Sequence, residues 1–221
     1  MSIQLSDLNF SWQSDGFHLS ISDFKVNSAE AVFIQGASGS GKSTLLGLLS
    51  GINQAQSGSL KILDQDLVSM SAVLRDRFRA DHIGYIFQQF NLIHYLSVLE
   101  NVLMGVNFSP RRKKRLGKNI QGEAIRLLEG LGMSEFIHKP VSELSIGQQQ
   151  RVAAARALLG SPEILICDEP SSALDKVNRD KFIELIKSEA HQNKTTLIFV
   201  SHDKDLAKHF DRTIKLSEVC E

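Results

Sequence analysis

The sequence predicts an α/β domain built on a mainly parallel sheet and interrupted by a helical insertion. Three observations predict it. Short, β-rich apolar runs recur at AVFIQ (31–35), SLKIL (59–63), EILIC (163–167) and TLIFVS (196–201). Helical hydrophobic patterns lie between them. A glycine-rich turn, GASGSGKST, follows the first run and opens a helix.

Each element follows from its residues. The opening MSIQLSDLNF has no basic stretch followed by an apolar run, so no signal peptide is expected. Trp12, the chain's one tryptophan, ends a short β-like stretch, NFSW. After the glycine-rich turn, KSTLLGLLSG puts Leu45, Leu46, Leu48 and Leu49 on a buried face, with Gly51 as a C-terminal stop. From about Phe90 to Glu143 the pattern is helical at Ser97–Val106 and Ile120–Leu131, around the basic stretch SPRRKKRLGKN (109–119). That stretch is the nearest thing to a linker. It reads as a solvated loop, with contact to anionic lipid as its functional alternative. In ELSIGQQQRVAAARALLG (143–160), Ser145 and Gly147 stand at the start of an alanine-rich helix. Unpaired N–H groups and a positive dipole end there invite an anion. Val177–His191 reads as an amphipathic helix carrying Phe182, Ile183, Leu185 and Ile186.

The 221 residues suffice for one well-buried domain, or one domain with a sub-domain. Lys plus Arg and Asp plus Glu both number 25, and this balance argues against general nucleic-acid binding. Two cysteines, Cys167 and Cys220, make no disulfide framework and point to a reducing compartment; Cys167 reads as strand core. No apolar run reaches the ~18 residues a membrane helix requires. Work at a membrane would therefore need a spanning partner.

Gly36-x-x-x-x-Gly41-Lys42-Ser43 is a phosphate-binding loop with a strand before it and a helix after it. Its glycines let backbone N–H groups curl around phosphate oxygens. Lys42 is placed to reach the β and γ phosphates, and the Ser43 hydroxyl to ligate Mg²⁺. In EILICDEP, a buried strand ends in Asp168 and Glu169, where open α/β sheets bind ligands. Asp168 is expected to hold Mg²⁺, and Glu169 to orient and deprotonate an attacking water.

These residues resemble the ATP-binding subunit of ABC transporters, and the resemblance covers nearly the whole chain. Its motifs occur in order. The phosphate loop is Gly36, Ala37, Ser38, Gly39, Ser40, Gly41, Lys42, Ser43 and Thr44. Gln88 in IFQQFNLI matches the Q-loop glutamine. Leu144-Ser145-Ile146-Gly147-Gln148 matches the signature, usually Leu-Ser-Gly-Gly-Gln. Ile164–Glu169 matches Walker B, Ser172-Ala173-Leu174-Asp175 the D-loop, and His202 in VSHD the switch histidine. A P-loop kinase or GTPase would share Gly36–Ser43 but has no need of LSIGQ or VSHD.

The resemblance implies a P-loop NTPase core of the ABC type, with an N-terminal antiparallel β portion and an inserted helical subdomain. It implies one domain over 1–221, with 1–88 and 145–221 as the core and about 89–144 as the helical subdomain. It implies hydrolysis of ATP with Mg²⁺ in two composite sites per head-to-tail dimer, each signature turn closing over the partner's phosphate loop. Ser145, Gly147 and Gln148 would then meet ATP held by a second copy, and Asp175 would order the seam. Trp12 would stack on adenine. Gln88 would sense Mg²⁺ and water, and His202 would contact the γ-phosphate. Ile146 departs from the signature. A β-branched residue resists positive φ and close backbone approach, which puts the rate of closure in question.

YIFQQFNLIHYLSVLENVLMG (85–105) is similar to the sub-group serving lipoprotein release, macrolide-type export and cell-division complexes. The expected role is an ATPase driving transmembrane permease subunits, with a scaffold in a cell-division-type complex as the alternative. The permease is expected to dock near Gln88–Met104, including Phe90 and Leu92. The chain is expected on the cytoplasmic face of a bacterial inner membrane, its membrane contact indirect. It ends 19 residues after His202, so no C-terminal regulatory domain is expected.

Overall fold

The computed structural model describes residues 1–12, 16–37, 39–171 and 174–219. In chain order the elements are β1 (Ile3–Ser11), β2 (His18–Val26), β3 (Ala31–Gln35), α1 (Lys42–Leu49), β4 (Ser57–Ile62), β5 (Gln65–Asp66), α2 (Ala72–His82) and β6 (Ile83–Ile86). Then come α3 (Val98–Leu103), α4 (Pro110–Leu116), α5 (Ile120–Gly130), α6 (Ile146–Leu158), β7 (Ile164–Asp168), α7 (Lys176–Gln192), β8 (Thr196–Ser201), β9 (Arg212–Lys215) and α8 (Leu216–Val219).

Two sheets form. An antiparallel sheet has the order β2-β1-β4-β5, and a parallel sheet has the order β6-β7-β8-β3-β9. Successive side chains of a strand point to opposite faces, and the parallel strands β3, β7 and β8 are apolar on both. Val32, Ile34, Ile164, Ile166, Ile198 and Val200 face a core shared with α1 and the antiparallel sheet. Phe33, Leu165, Cys167, Leu197 and Phe199 face a second core, shared with α3, α5, α6 and α7. A strand buried on both sides reads as a continuous hydrophobic run, which is why EILIC and TLIFVS were legible. β6 approaches α6 so closely that a Cβ on Gly84 would sit 2.4 Å from the Ala157 carbonyl oxygen.

Two expectations fail in the helical segment. The basic stretch 109–119 is not a solvated loop: Pro110–Leu116 is helix α4. Ser109 caps it by accepting the Arg112 N–H at 3.0 Å, Pro110 stands in the first turn, and Gly117 ends it with φ +61°. Those start and stop signals outweigh the charge that suggested solvation. Arg112 is buried and donates to the carbonyls of Ala157 and Leu159, while Arg115 donates to those of Gly160 and Ser161. Burial pushes the Arg112 pKa down to about 10, and the Arg115 charge adds to it. Phe90 and Leu92, expected as exposed docking residues, are instead core, packed with Val98, Val102 and Leu144. An apolar residue in a polar loop serves either role, and here the underside of the loop closes the second core.

Candidate active site

The loop from Gly36 to Gly41 joins β3 to α1. Gly41 has φ +93°, and a Cβ there would lie 2.6 Å from the Phe17 ring, so both conformation and space favour glycine. Lys42 is folded back over the loop and buried. Its Nζ donates to the carbonyl oxygens of Gly36 and Ala37 at 2.9 and 2.7 Å and lies 3.4 Å from Glu169 Oε1. Ser40 Oγ is buried without a hydrogen-bond partner among the described residues. Ser38 lies outside the described residues.

Two carboxylates converge on this loop because β7 runs parallel to β8 and ends beside it. Asp168 is the last residue of β7; burial raises its pKa, and the Glu169 charge raises it further. Glu169 has φ +43°, a left-handed conformation that costs a non-glycine residue on the order of 1–3 kcal/mol. Its N–H donates to the Val200 carbonyl at 3.0 Å, which pins the turn. On its outer side, Glu169 Oε2 lies 3.0 Å from His202 Nδ1. The carboxylate is thus flanked by Lys42 and His202.

A cavity of about 380 Å³ is lined by Trp12, Gly39, Gly41, Lys42, Ser43, Thr44, Gln88, Asp168 and Glu169. These residues come from four separate stretches of sequence. Trp12 is 59% exposed at the mouth, edge-on to Phe10, with its indole N–H directed to Thr44 Oγ1 at 3.4 Å. Sequence reasoning missed Phe17, which lines the same cavity. The Trp12 N–H donates to the Phe17 carbonyl at 3.3 Å across the hairpin, so pairing NFSW with FHLS was the available signal. It also missed Tyr85, whose hydroxyl pKa is pushed up by burial and by the nearby Asp168 carboxylate.

Ser145, Gly147 and Gln148 do not join this cavity. They line another, of about 310 Å³, with Gly132, Met133, Arg151, Leu174, Asn178 and Phe182. Ser145 and Gln148 form a capping box at the start of α6: Ser145 Oγ accepts the Gln148 N–H at 3.3 Å, and Gln148 Oε1 accepts the Ser145 N–H at 2.9 Å. Asp175 caps α7, accepting the Asn178 N–H at 3.0 Å. Ser172 and Ala173 lie outside the described residues. The far end of α6 reaches the other loop: Arg156 donates to the carbonyls of Phe90 and Asn91, just beyond Gln88.

The ABC transporter family model matches residues 19–172. The chain belongs to the ABC transporter family. It is an ABC-type ATPase with the fold of an ABC cassette. The chain is 37% identical over 197 residues to the lipoprotein-releasing system ATP-binding protein LolD of Hydrogenovibrio crunogenus, covering 89% of this chain and 84% of LolD. It is 36% identical over 220 residues to the macrolide export ATP-binding/permease protein MacB 2 of Aeromonas hydrophila, covering 98% of this chain and 33% of that longer protein. Among solved structures, the ATP-binding cassette MJ0796, a dimer in a post-hydrolysis state bound to ADP and Pi, superposes with a TM-score of 0.84 at 30% identity, covering 96% of this chain and 93% of that one. The sub-group resemblance therefore holds for the lipoprotein-release and macrolide-export members. Within the ABC signature, Ile146 is the first residue of α6 and 56% exposed. It is not among the residues with positive φ, so the positive-φ part of the objection to a β-branched residue falls away.

Proposed function

We propose that two copies of this chain pair head to tail around ATP and Mg²⁺, the phosphate-loop cavity of one closing on the signature cavity of the other. The observation that carries this reading is that the two cavities share no lining residue among the described residues. One chain offers both halves of a site and cannot bring its own halves together. An isologous pair brings both together at once.

In this reading Gly36 to Thr44 cradle the phosphates, and the unpartnered Ser40 hydroxyl meets a phosphate oxygen. Lys42 leaves the carbonyls of Gly36 and Ala37 for the β and γ oxygens. Trp12, with Phe17, receives the adenine. Ser43, Asp168 and Gln88 offer only oxygen donors within one cavity, a set that suits Mg²⁺. The ion, when bound, neutralises phosphate charge and orients the γ-phosphate. Glu169 accepts the proton of the attacking water, and His202 holds Glu169 and contacts the γ-phosphate. Ser145, Gly147 and Gln148 close over the γ-phosphate of the partner's ATP, and Asp175 orders the seam. The domain is single, with 89–144 as a helical subdomain carrying the docking surface.

The mechanical output is movement of a permease, for export or lipoprotein release, at the cytoplasmic face of the membrane. No helix among the described residues is long and apolar enough to cross a membrane, and MacB 2 joins ATP-binding and permease parts in one protein. The permease docks near Gln88–Met104. A groove of about 590 Å³, lined by Tyr85, Phe87, Asn91, Met104, Phe108 and Arg156 among others, supports this. The deciding experiment mixes two inactive variants. Lys42→Ala copies and Ser145→Ala copies each hydrolyse ATP poorly alone. A mixed dimer contains one intact composite site, so activity rises above the sum of the parts. A mixture that merely sums sinks the head-to-tail reading.

A further inference from the structure

We propose that α4 and the two residues leading into it form a binding surface for anionic phospholipid, giving this subunit its own grip on the bilayer beside the permease. The charge is concentrated. The chain as a whole is balanced, yet no acidic residue occurs between Glu100 and Glu123, while Arg111, Arg112, Lys113, Lys114, Arg115 and Lys118 crowd into that interval.

The surface is rigid rather than a floppy basic tail. Ser109 caps α4 and donates its hydroxyl to Asp81 at 2.5 Å. Buried Arg112 ties the helix to the end of α6. Arg111 and Arg115 both pair with Glu163, at 3.0 and 2.8 Å. Burial works to raise the Glu163 pKa, but hydrogen bonds from His82, Arg111 and Arg115 outweigh it and hold it at about 2. Glu163 therefore stays ionised and the clamp stays closed at neutral pH.

What remains outside the clamp is cationic. Lys113, Lys114 and Lys118 form no ion pair among the described residues, whereas Arg111 and Arg115 share one carboxylate. Like charges one turn apart repel, and an anionic surface relieves that repulsion. Phe108, two residues before α4, is 78% exposed. An exposed aromatic ring two residues before a lysine-bearing helix suits a surface that rests in a lipid interface: the ring enters the headgroup boundary while the ammonium groups meet phosphate. An acidic protein segment would satisfy the lysines without explaining the ring. Orientation agrees. Phe108 also lines the groove assigned above to the permease, so a surface starting at its rim faces the bilayer. This placement rests on the permease-docking reading; the charge and the exposed ring do not.

The test is flotation of the purified full chain with vesicles of phosphatidylcholine alone or with added phosphatidylglycerol. Binding is expected only to the anionic vesicles and should fall as salt is raised. Each basic residue at such a surface contributes about fivefold, so K113E/K114E/K118E should weaken binding on the order of 100-fold or more. Its ATP hydrolysis in solution should be unchanged, which shows that it is folded. Phe108→Ala should weaken binding by a smaller factor. Wild-type protein that ignores anionic vesicles overturns the proposal. So does a triple variant that binds them normally, including one that binds them normally but no longer assembles with the permease, which would assign the patch to a protein partner. Vesicle binding that depends on the three lysines, in a chain that never assembles with a permease, would leave this surface standing and remove the docking reading instead.

Discussion

The phosphate loop and the signature turn are both glycine-containing turns in front of a helix, yet they are built differently. Around the loop everything converges. Lys42 is buried, two carboxylates close in from β7, Glu169 is held in a strained left-handed turn, and His202 stands against it. Around the signature turn, Ser145 and Gln148 satisfy one another in a capping box, and among the described residues no carboxylate lines the cavity beside them. One region gathers a lysine, two carboxylates and a histidine, the groups to which the proposed function gives the proton transfer. The other carries only donors at a helix start. On the proposed head-to-tail reading, the difference is a division of labour: chemistry is assembled within a chain, whereas the ligand's last contacts are left to be supplied from outside it.

The largest effect that would sharpen this contrast is on Glu169. Glu169→Gln should bind ATP but lose hydrolysis by ~10²–10⁴-fold and accumulate as a dimer with MgATP. Size-exclusion chromatography showing a monomer throughout would break it. Next, Lys42→Ala should lose about 3 kcal/mol of ATP binding, roughly 100-fold in affinity, read by titration calorimetry. Unchanged affinity would mean that the buried lysine serves the fold alone. Ser145→Ala should cost only ~1 kcal/mol of stability, the worth of a helix cap. It should leave ATP affinity of the dilute single chain intact while lowering turnover at saturating ATP. Loss of affinity in the dilute chain would erase the distinction between the two regions. The smallest signal is optical. The only tryptophan stands at the mouth of the first cavity, so ATP should change Trp12 emission at dilutions where no dimer forms.

Local signals carried much of the fold. Both faces of β7 and β8 are covered, and their apolar runs announced it. α1 and α7 were readable from Leu45–Leu49 and Phe182–Ile186, since helix periodicity survives wherever one face is buried. α4 was not, because six basic residues masked a Ser-Pro start and a glycine stop. Nor was the burial of Phe90 and Leu92 legible, since a loop's sequence does not say which side of it meets the core.

What the sequence by itself determined is the inventory: a phosphate loop between strand and helix, a carboxylate pair at a strand end, a second anion-seeking helix start, and the family they spell out in order. Residue type and spacing suffice for these, because each depends on contacts within a few residues. Only the tertiary structure decided which of them share a cavity. The parallel pairing of β6, β7, β8 and β3 carries Gln88, Asp168, Glu169 and His202 to the edge where the loop begins, while α6, packed on the opposite face of the sheet, starts beside α7 in a different cavity. Such neighbours are far apart in sequence and are set by strand order and face, quantities that no local pattern encodes.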